Sequence, residues 1–342
     1  MSLYRKINST RKGESELGYG FRALRRRVLT PDVSETSLDK RGFHKKSPAA
    51  VELLEKVGRI FLEGYGNAVE ARTVADAQAR IDRIEERFRG FAYEGAGMGW
   101  AMLDGLPFGG RGRVRASLNG PGEPHNYLIY VGVGWAMARL PRFRWPSPEA
   151  FDPLLRWLVL DGYGFHQAYF RTHRYIDQQY QEERFPWPGG PAGGYANRAI
   201  DQGIGRALWF IGGTDVDVVT SIIERFAAHR RSDLYAGTGL AATYAGGVTE
   251  RELEQLRERA GEHRAALAQG SAFAAEARAR AGLLGEHSRL AARILCGTDA
   301  ETAARVTQDV RPAHPVDGAE PAFETWRRDI GAQFVSLGGV TS

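Results

Sequence analysis

The 342-residue chain holds a single cysteine, Cys296. One thiol can form neither an internal disulfide nor a thiolate metal cluster. No run of eighteen apolar residues occurs, so no membrane span is expected. The opening Met1-Ser2-Leu3-Tyr4-Arg5-Lys6 lacks the apolar stretch of a secretory signal. Together these absences predict a cytoplasmic protein. No P-loop, nucleophile elbow or defensible Ser/His/Asp order is present, and no nucleic-acid module, so nucleic acid is not an expected partner. Net charge is also scarce over most of the chain. Residues 1–46 hold 12 Lys/Arg against 5 Asp/Glu, and the rest holds 34 against 36. The net charge of +5 therefore comes from an N-terminal arm that would attract an acidic surface, in the chain or on a partner.

Glycine is abundant, with 42 residues. It recurs as Gly-x-Gly at Gly18-Tyr19-Gly20, Gly64-Tyr65-Gly66, Gly97-Met98-Gly99, Gly132-Val133-Gly134, Gly162-Tyr163-Gly164, Gly203-Ile204-Gly205 and Gly237-Thr238-Gly239. From the second copy on, the spacings are roughly 33, 35, 30, 41 and 34 residues, a quasi-period of about 35 that suits helix–turn–helix repeats. Thr73 to Asp76 and Thr214 to Asp217 each read as a helix start leading to such a motif. Glycines at the start of a packed helix let two backbones approach. The alternative, anion binding at a helix N-terminus, lacks the preceding strand that a nucleotide fingerprint needs.

The fold class predicted is mostly α: antiparallel helix pairs in a repeat, either an α-solenoid or α/α-barrel-like. Three regions are expected: a basic arm over 1–46, a helical-repeat core with the glycine motifs over 47–248, and Ala/Arg/Glu-rich helices with a C-terminal tail over 249–342. Ser47-Pro48, Ser147-Pro148, Thr249-x-x-Glu252 and Thr298-x-x-Glu301 read as helix starts. Residues 105–124 and 184–195 read as long loops. His125 to Leu140 is apolar throughout and is open between a buried helix and a strand leading into one.

If 162–177 is one helix, His166, His173 and Asp177 share a stripe. The two histidines are then about 10 Å apart along the axis, too far for one metal ion, so no metal site and no cofactor is expected. His166 among aromatics is a candidate acid/base or hydrogen-bond donor, or simply a satisfied core histidine. Acids precede several glycine motifs, and arginines lie near them. Converging on one cavity, Asp161 and Arg206 would join His166 as candidate catalytic groups. Tyr93, Glu94, Trp100, Tyr163, Tyr169, Asp201 and Trp209 would form the ligand wall. Aromatic walls with few polar groups suit a long unsaturated ligand; the same acids and arginines would equally serve as buried ion pairs holding helices in register. Cys296, before Gly297-Thr298 at an expected helix start, would have a lowered pKa unless buried.

Several segments together resemble the DUF1702 family. They are Leu24-Arg25-Arg26-Arg27-Val28-Leu29-Thr30-Pro31, Arg41-Gly42-Phe43, Phe61-Leu62-Glu63-Gly64-Tyr65, Arg89-Gly90-Phe91-Ala92-Tyr93-Glu94-Gly95-Ala96, Asp161-Gly162-Tyr163-Gly164-Phe165-His166 and Asp201-Gln202-Gly203-Ile204-Gly205-Arg206-Ala207-Leu208-Trp209-Phe210. The family includes the UnbL protein of enediyne biosynthesis cassettes. The resemblance implies a cytoplasmic protein encoded beside an iterative polyketide synthase and its thioesterase. Such pathways turn a linear conjugated polyene into an enediyne core. It supplies no catalytic residues. Two functions are then expected: an accessory protein or enzyme that binds or processes a hydrophobic polyene intermediate, or a non-catalytic helical-repeat scaffold assembling pathway proteins.

Overall fold

The computed structural model describes residues 18, 20–107, 110, 112–187 and 194–338, with no strand among them. In chain order the first helices are α1 (20–29), α2 (Leu38–Arg41), α3 (Pro48–Glu70), α4 (Val74–Ile81), α5 (Glu86–Gly105) and α6 (Arg113–Leu118). Then follow α7 (Asn126–Met137), α8 (Trp157–Phe170), α9 (Tyr195–Ile211), α10 (Val216–Glu224) and α11 (Ala228–Ala245). The last are α12 (Glu250–Arg259), α13 (Arg264–Arg280), α14 (Glu286–Leu295), α15 (Ala300–Asp309) and α16 (Ala322–Ser336). No helix among the described residues is long and apolar enough to cross a membrane. Residues 1–17 of the basic arm, Tyr19 and Pro188-Gly189-Gly190 lie outside the described residues.

Several helix starts follow their local signals. Ser47 caps α3 by accepting the Ala50 N–H, with proline in the first turn. Thr73 with Asp76 and Thr249 with Glu252 form complete capping boxes on α4 and α12. Other starts move. Thr214 has a positive φ of 64°, outside the extended range of an N-cap, and the cap of α10 is Asp215, which accepts from Asp217 and Val218 N–H. Asp299, not Thr298, caps α15 by accepting from Thr302 N–H. Ser147-Pro148 begins only a 3-10 turn, and α8 starts later, at Trp157.

The apolar stretch from His125 resolves as helix α7. All its residues from Leu128 to Met137 are buried, so no amphipathic period marks it. The expected loop at 105–124 contains α6. The expected helix over 162–177 does not persist. α8 ends at Phe170, Arg171 leaves the helical region at φ −126°, and His173–Asp177 form a separate π turn. His166, His173 and Asp177 therefore do not share one continuous stripe.

From the second pair on, the glycines lie inside helices rather than at their starts, and they set the packing. α3, α5, α7, α8, α9, α11 and α13 touch one another in that chain order. At every junction one glycine from each helix faces the other. A Cβ on Gly164 would overlap the Ile200 carbonyl of α9, and one on Gly203 would overlap the Asp161 carbonyl of α8. The rule is constant: each glycine sits on the carbonyl three residues before its partner glycine. Gly134 meets Val159 and Gly162 meets Val131; Gly205 meets Leu234 and Gly237 meets Gln202; Gly239 meets Leu267 and Gly270 meets Ala236. In α5 the pair is Gly95-Ala96-Gly97, toward α3 and α7 respectively; the Gly97-Met98-Gly99 reading is one step out of register.

The spacing has a geometric cause. Residues two apart on an α-helix point about 200° apart, so Gly-x-Gly strips the Cβ from two opposite faces at one level. Each helix can then lie backbone to backbone against both neighbours. Gly164→Ala and Gly205→Ala are each expected to destabilise by about 3 kcal/mol through overpacking. Gly20→Ala, with nothing within 4 Å of the added carbon, should instead be neutral or stabilise by up to about 1 kcal/mol. Urea melts of the three variants measure the contrast.

Candidate functional site

Two faces of each of α5, α7, α8, α9 and α11 are spent on glycine contacts with neighbours, which leaves an inner and an outer face. On the inner face stands the residue just after the second glycine: Met98, Trp135, Phe165, Arg206 and Leu240. All five line one cavity of about 620 Å³, bounded by α3, α5, α7, α8, α9 and α11. The volume falls in the range typical of small-molecule sites. Trp135 is central to its wall. Its ring lies 4.4 Å from Phe61, 5.0 Å from Phe165, 5.5 Å from His166 and 6.0 Å from Phe170, centroid to centroid. The lining residues Asp32, Arg139 and Arg171 are exposed and mark the mouth.

The polar pole of the cavity is buried. Arg206 of α9 donates to Asp161 of α8 at 2.5 Å and reaches Glu94 of α5 at 3.5 Å. Trp135 Nε1 donates to Glu94 Oε1 at 3.1 Å. All three charged residues are under 7% exposed. One guanidinium faces two carboxyls, and the closer one, Asp161, takes it as an ion pair. Burial pushes both carboxyls above the usual carboxylate range against the pull of Arg206, and Asp161 adds to the push on Glu94, the farther of the two from the guanidinium. Glu94 is thus suited to hold its proton and donate a hydrogen bond into the cavity.

His166 also lines the cavity, packed against Phe170 at 4.7 Å. Its Nδ1 has no partner among the described residues, and burial lowers its pKa to about 3. The imidazole is neutral at physiological pH. Neither Asp161 nor Asp201 bonds it: Asp161 is taken by Arg206, and Asp201 is held by Arg230 at 2.5 and 2.8 Å.

The structure brings Glu94, His166, Tyr169 and Arg206 to the cavity wall, with Asp161 directly behind Arg206. The other expected wall residues stand elsewhere. Tyr93 stacks on His125 at 3.7 Å and donates to Asp82 at 2.7 Å. Tyr163 packs with Trp145 and Phe185. Trp209 donates to the Gly246 carbonyl, and Trp100 is fully buried away from the cavity. Trp135 and Phe165 were not singled out as wall residues, although their place after the second glycine marks them. Cys296 does not start a helix. It ends α14, its thiol donates to the Ala268 carbonyl, and burial pushes its pKa up to about 12. No group of three or more metal-ligating side chains is found among the described residues.

Two expectations follow from the charges. Arg206→Leu strands two buried carboxyls and should cost about 3–5 kcal/mol, whereas Glu94→Gln, which mimics a protonated carboxyl, should cost far less. Equal losses in urea melts at neutral pH would show Glu94 to be ionised. Acid stability carries the second. His166 and His125, the latter lowered to about 4 by burial, stay neutral in the fold while the unfolded chain takes up protons below about pH 6.5. The unfolded state binds more protons there, so stability falls as pH drops from about 6.5. His166→Gln should flatten that slope, read from chemical denaturation across the range.

Compared with known proteins, the chain matches no curated protein and no solved structure. A family model does match it, over residues 20–334, under the description "Protein of unknown function (DUF1702)". The match takes in every glycine helix and the whole cavity wall, and the chain belongs to the DUF1702 family.

Proposed function

We propose that this protein is an accessory protein or enzyme of enediyne-type polyketide biosynthesis that binds a hydrophobic conjugated polyene intermediate in the Trp135 cavity. The observation that carries the reading is the cavity itself: about 620 Å³, walled by Phe61, Phe91, Trp135, Phe165, Tyr169 and Phe210, with one buried polar pole at Glu94 and Arg206. Flat aromatic walls match a planar unsaturated chain, and a single hydrogen-bonding end fixes which way it lies. Glu94 and neutral His166 are the groups that would exchange a proton with the ligand. The enediyne setting rests on the family resemblance, an association rather than a mechanism.

We read the helix order as a repeat curved around this cavity, nearer an α/α barrel than an open solenoid. Support comes from contacts between helices that are not chain neighbours. Arg206 of α9 reaches Glu94 of α5, and Tyr244 of α11 packs edge-on against Phe91 of α5 at 5.1 Å. A cavity walled by six helices, with a mouth on one side, favours ligand binding over the scaffold reading, which calls for an open groove.

Titration with a synthetic linear conjugated polyene should quench tryptophan fluorescence saturably, because Trp135 lines the site. Ala138→Phe and Ala241→Phe, which project into the cavity, should each weaken binding by about tenfold or more, a loss of about 1.4 kcal/mol. Absence of saturable quenching, or equal affinity in both variants with unchanged melting temperature, would remove the proposal.

A further inference from the structure

The first helix turns an apolar side to solvent. Phe21, Leu24 and Val28 of α1 stand three and four residues apart, on one stripe, and are 66%, 57% and 71% exposed. The other side is fastened to the body largely by arginine. Arg25 donates to the Val69 and Ala71 carbonyls, at 2.5 and 3.3 Å, and Arg26 pairs with Glu70 at 2.7 Å. Those carbonyls are the ones that the C-terminal end of α3 leaves without helical partners. The clamp fixes the rotation of α1 and so fixes the stripe outward. Val33 adds to it. Four of the seven exposed large hydrophobic side chains among the described residues fall between 21 and 33, so the exposure is a patch rather than scatter.

We propose that α1 docks the protein on an anionic lipid surface, with the Phe21–Leu24–Val28 stripe entering the interface. Three observations select lipid as the occupant. The stripe is the exposed apolar side of a helix with exposed Arg27 beside it, an apolar side next to a basic one as in an interfacial amphipathic helix. Its surroundings are basic. Arg27 is exposed beside it, Arg139 and Arg171 are exposed at the cavity mouth, and residues 18–46 hold 8 Lys/Arg against 3 Asp/Glu. Of the mouth acids, Glu35 is paired with Lys40 and Arg41, and Asp32 accepts the Ser34 N–H at 2.8 Å. Finally, the segment that follows α1 supplies Pro31, Asp32, Glu35 and Thr36 to the cavity lining. A helix lying on the membrane thus places the mouth at the lipid surface, and a lipophilic ligand dissolved there enters without crossing water. That last consequence rests on the ligand reading above; the docking itself does not.

Flotation of the full chain with vesicles separates the outcomes. The expected result is binding to phosphatidylcholine vesicles containing phosphatidylglycerol, weak binding to phosphatidylcholine alone, and loss of binding as salt is raised. The triple variant Phe21→Ser, Leu24→Ser, Val28→Ser should bind at least about tenfold more weakly with an unchanged melting temperature, since the three side chains are exposed. Arg27→Glu should weaken binding to the anionic vesicles alone. No flotation with anionic vesicles, or equal flotation of the triple variant, overturns the proposal. So does a concentration-dependent dimer in sedimentation that the triple variant abolishes while vesicles go unbound, which would assign the stripe to a second copy of the chain. Polyene binding by the triple variant, measured in parallel, stays intact in every case where only the docking fails.

Discussion

Backbone-to-backbone contact between helices is the constraint on which the rest depends. Side chains normally hold helix axes 8–10 Å apart. Here the Cβ is missing from the contact level on both helices, and the carbonyl of Ile200 or Asp161 occupies the space where it would be. Because the same pair recurs from α3 to α13, each of the five helices between those two ends is fixed against two neighbours by the same rule. Two of its four sides are then committed before any large side chain is placed. What remains is an inner side that must fill or line an interior, and an outer side that carries the connecting segments.

The interior is not filled with hydrocarbon alone. Glu94, Asp161 and Arg206 come from three helices and meet under the aromatic wall. A second buried set ties the C-terminal helix in: Arg327 of α16 pairs with Asp233 of α11 at 2.8 Å, and Asp233 also accepts from Arg198 of α9 at 2.9 Å. The two sets differ in balance. In the second, Arg198 and Arg327 face Asp233 and Glu324, two cations for two carboxyls. In the first, one cation serves two carboxyls. A structural role is sufficient for the balanced set. The imbalance at the cavity floor stabilises nothing by itself, and a buried carboxyl without its own cation is the kind of group that marks sites of chemistry or recognition.

Much of this was legible in the sequence. Helix class, the capping boxes at Thr73 and Thr249, and the existence of a repeating glycine pair follow from local composition. The wall was only partly legible, and angle explains much of the division, Trp209 and His166 excepted. Taking the first glycine of a pair as zero, with about 100° per residue, Glu94, Asp161 and Arg206 fall near 260–300°, on the inner side. Tyr163, the residue between two glycines, falls near 100°, and Tyr93, Asp201 and Trp100 fall near 140–160°, all on the outer side. Choosing aromatics and acids by proximity to the motif therefore mixed two opposite faces. Starting the α5 pair at Gly97 rather than Gly95 hid the register further. Thr214 departs from its helix-start signature for a different reason: its left-handed backbone, set where Gly213 abuts the His44 carbonyl, is a tertiary effect with no local signature.

The glycine contacts also bear on how the cavity can respond to what enters it. Walls built from interdigitated side chains give way by changing rotamers. Walls whose supporting helices touch through main chain have no such slack, since moving one helix outward breaks contact with the next. The helices that frame the bore around Trp135 are therefore held at fixed separations by main-chain contact, and the side chains that line it are what is left to adjust its shape. The short segment from Pro31 to Thr36, which carries no glycine pair, is the one part of the lining outside this frame of packed helices that comes before α3 in the chain.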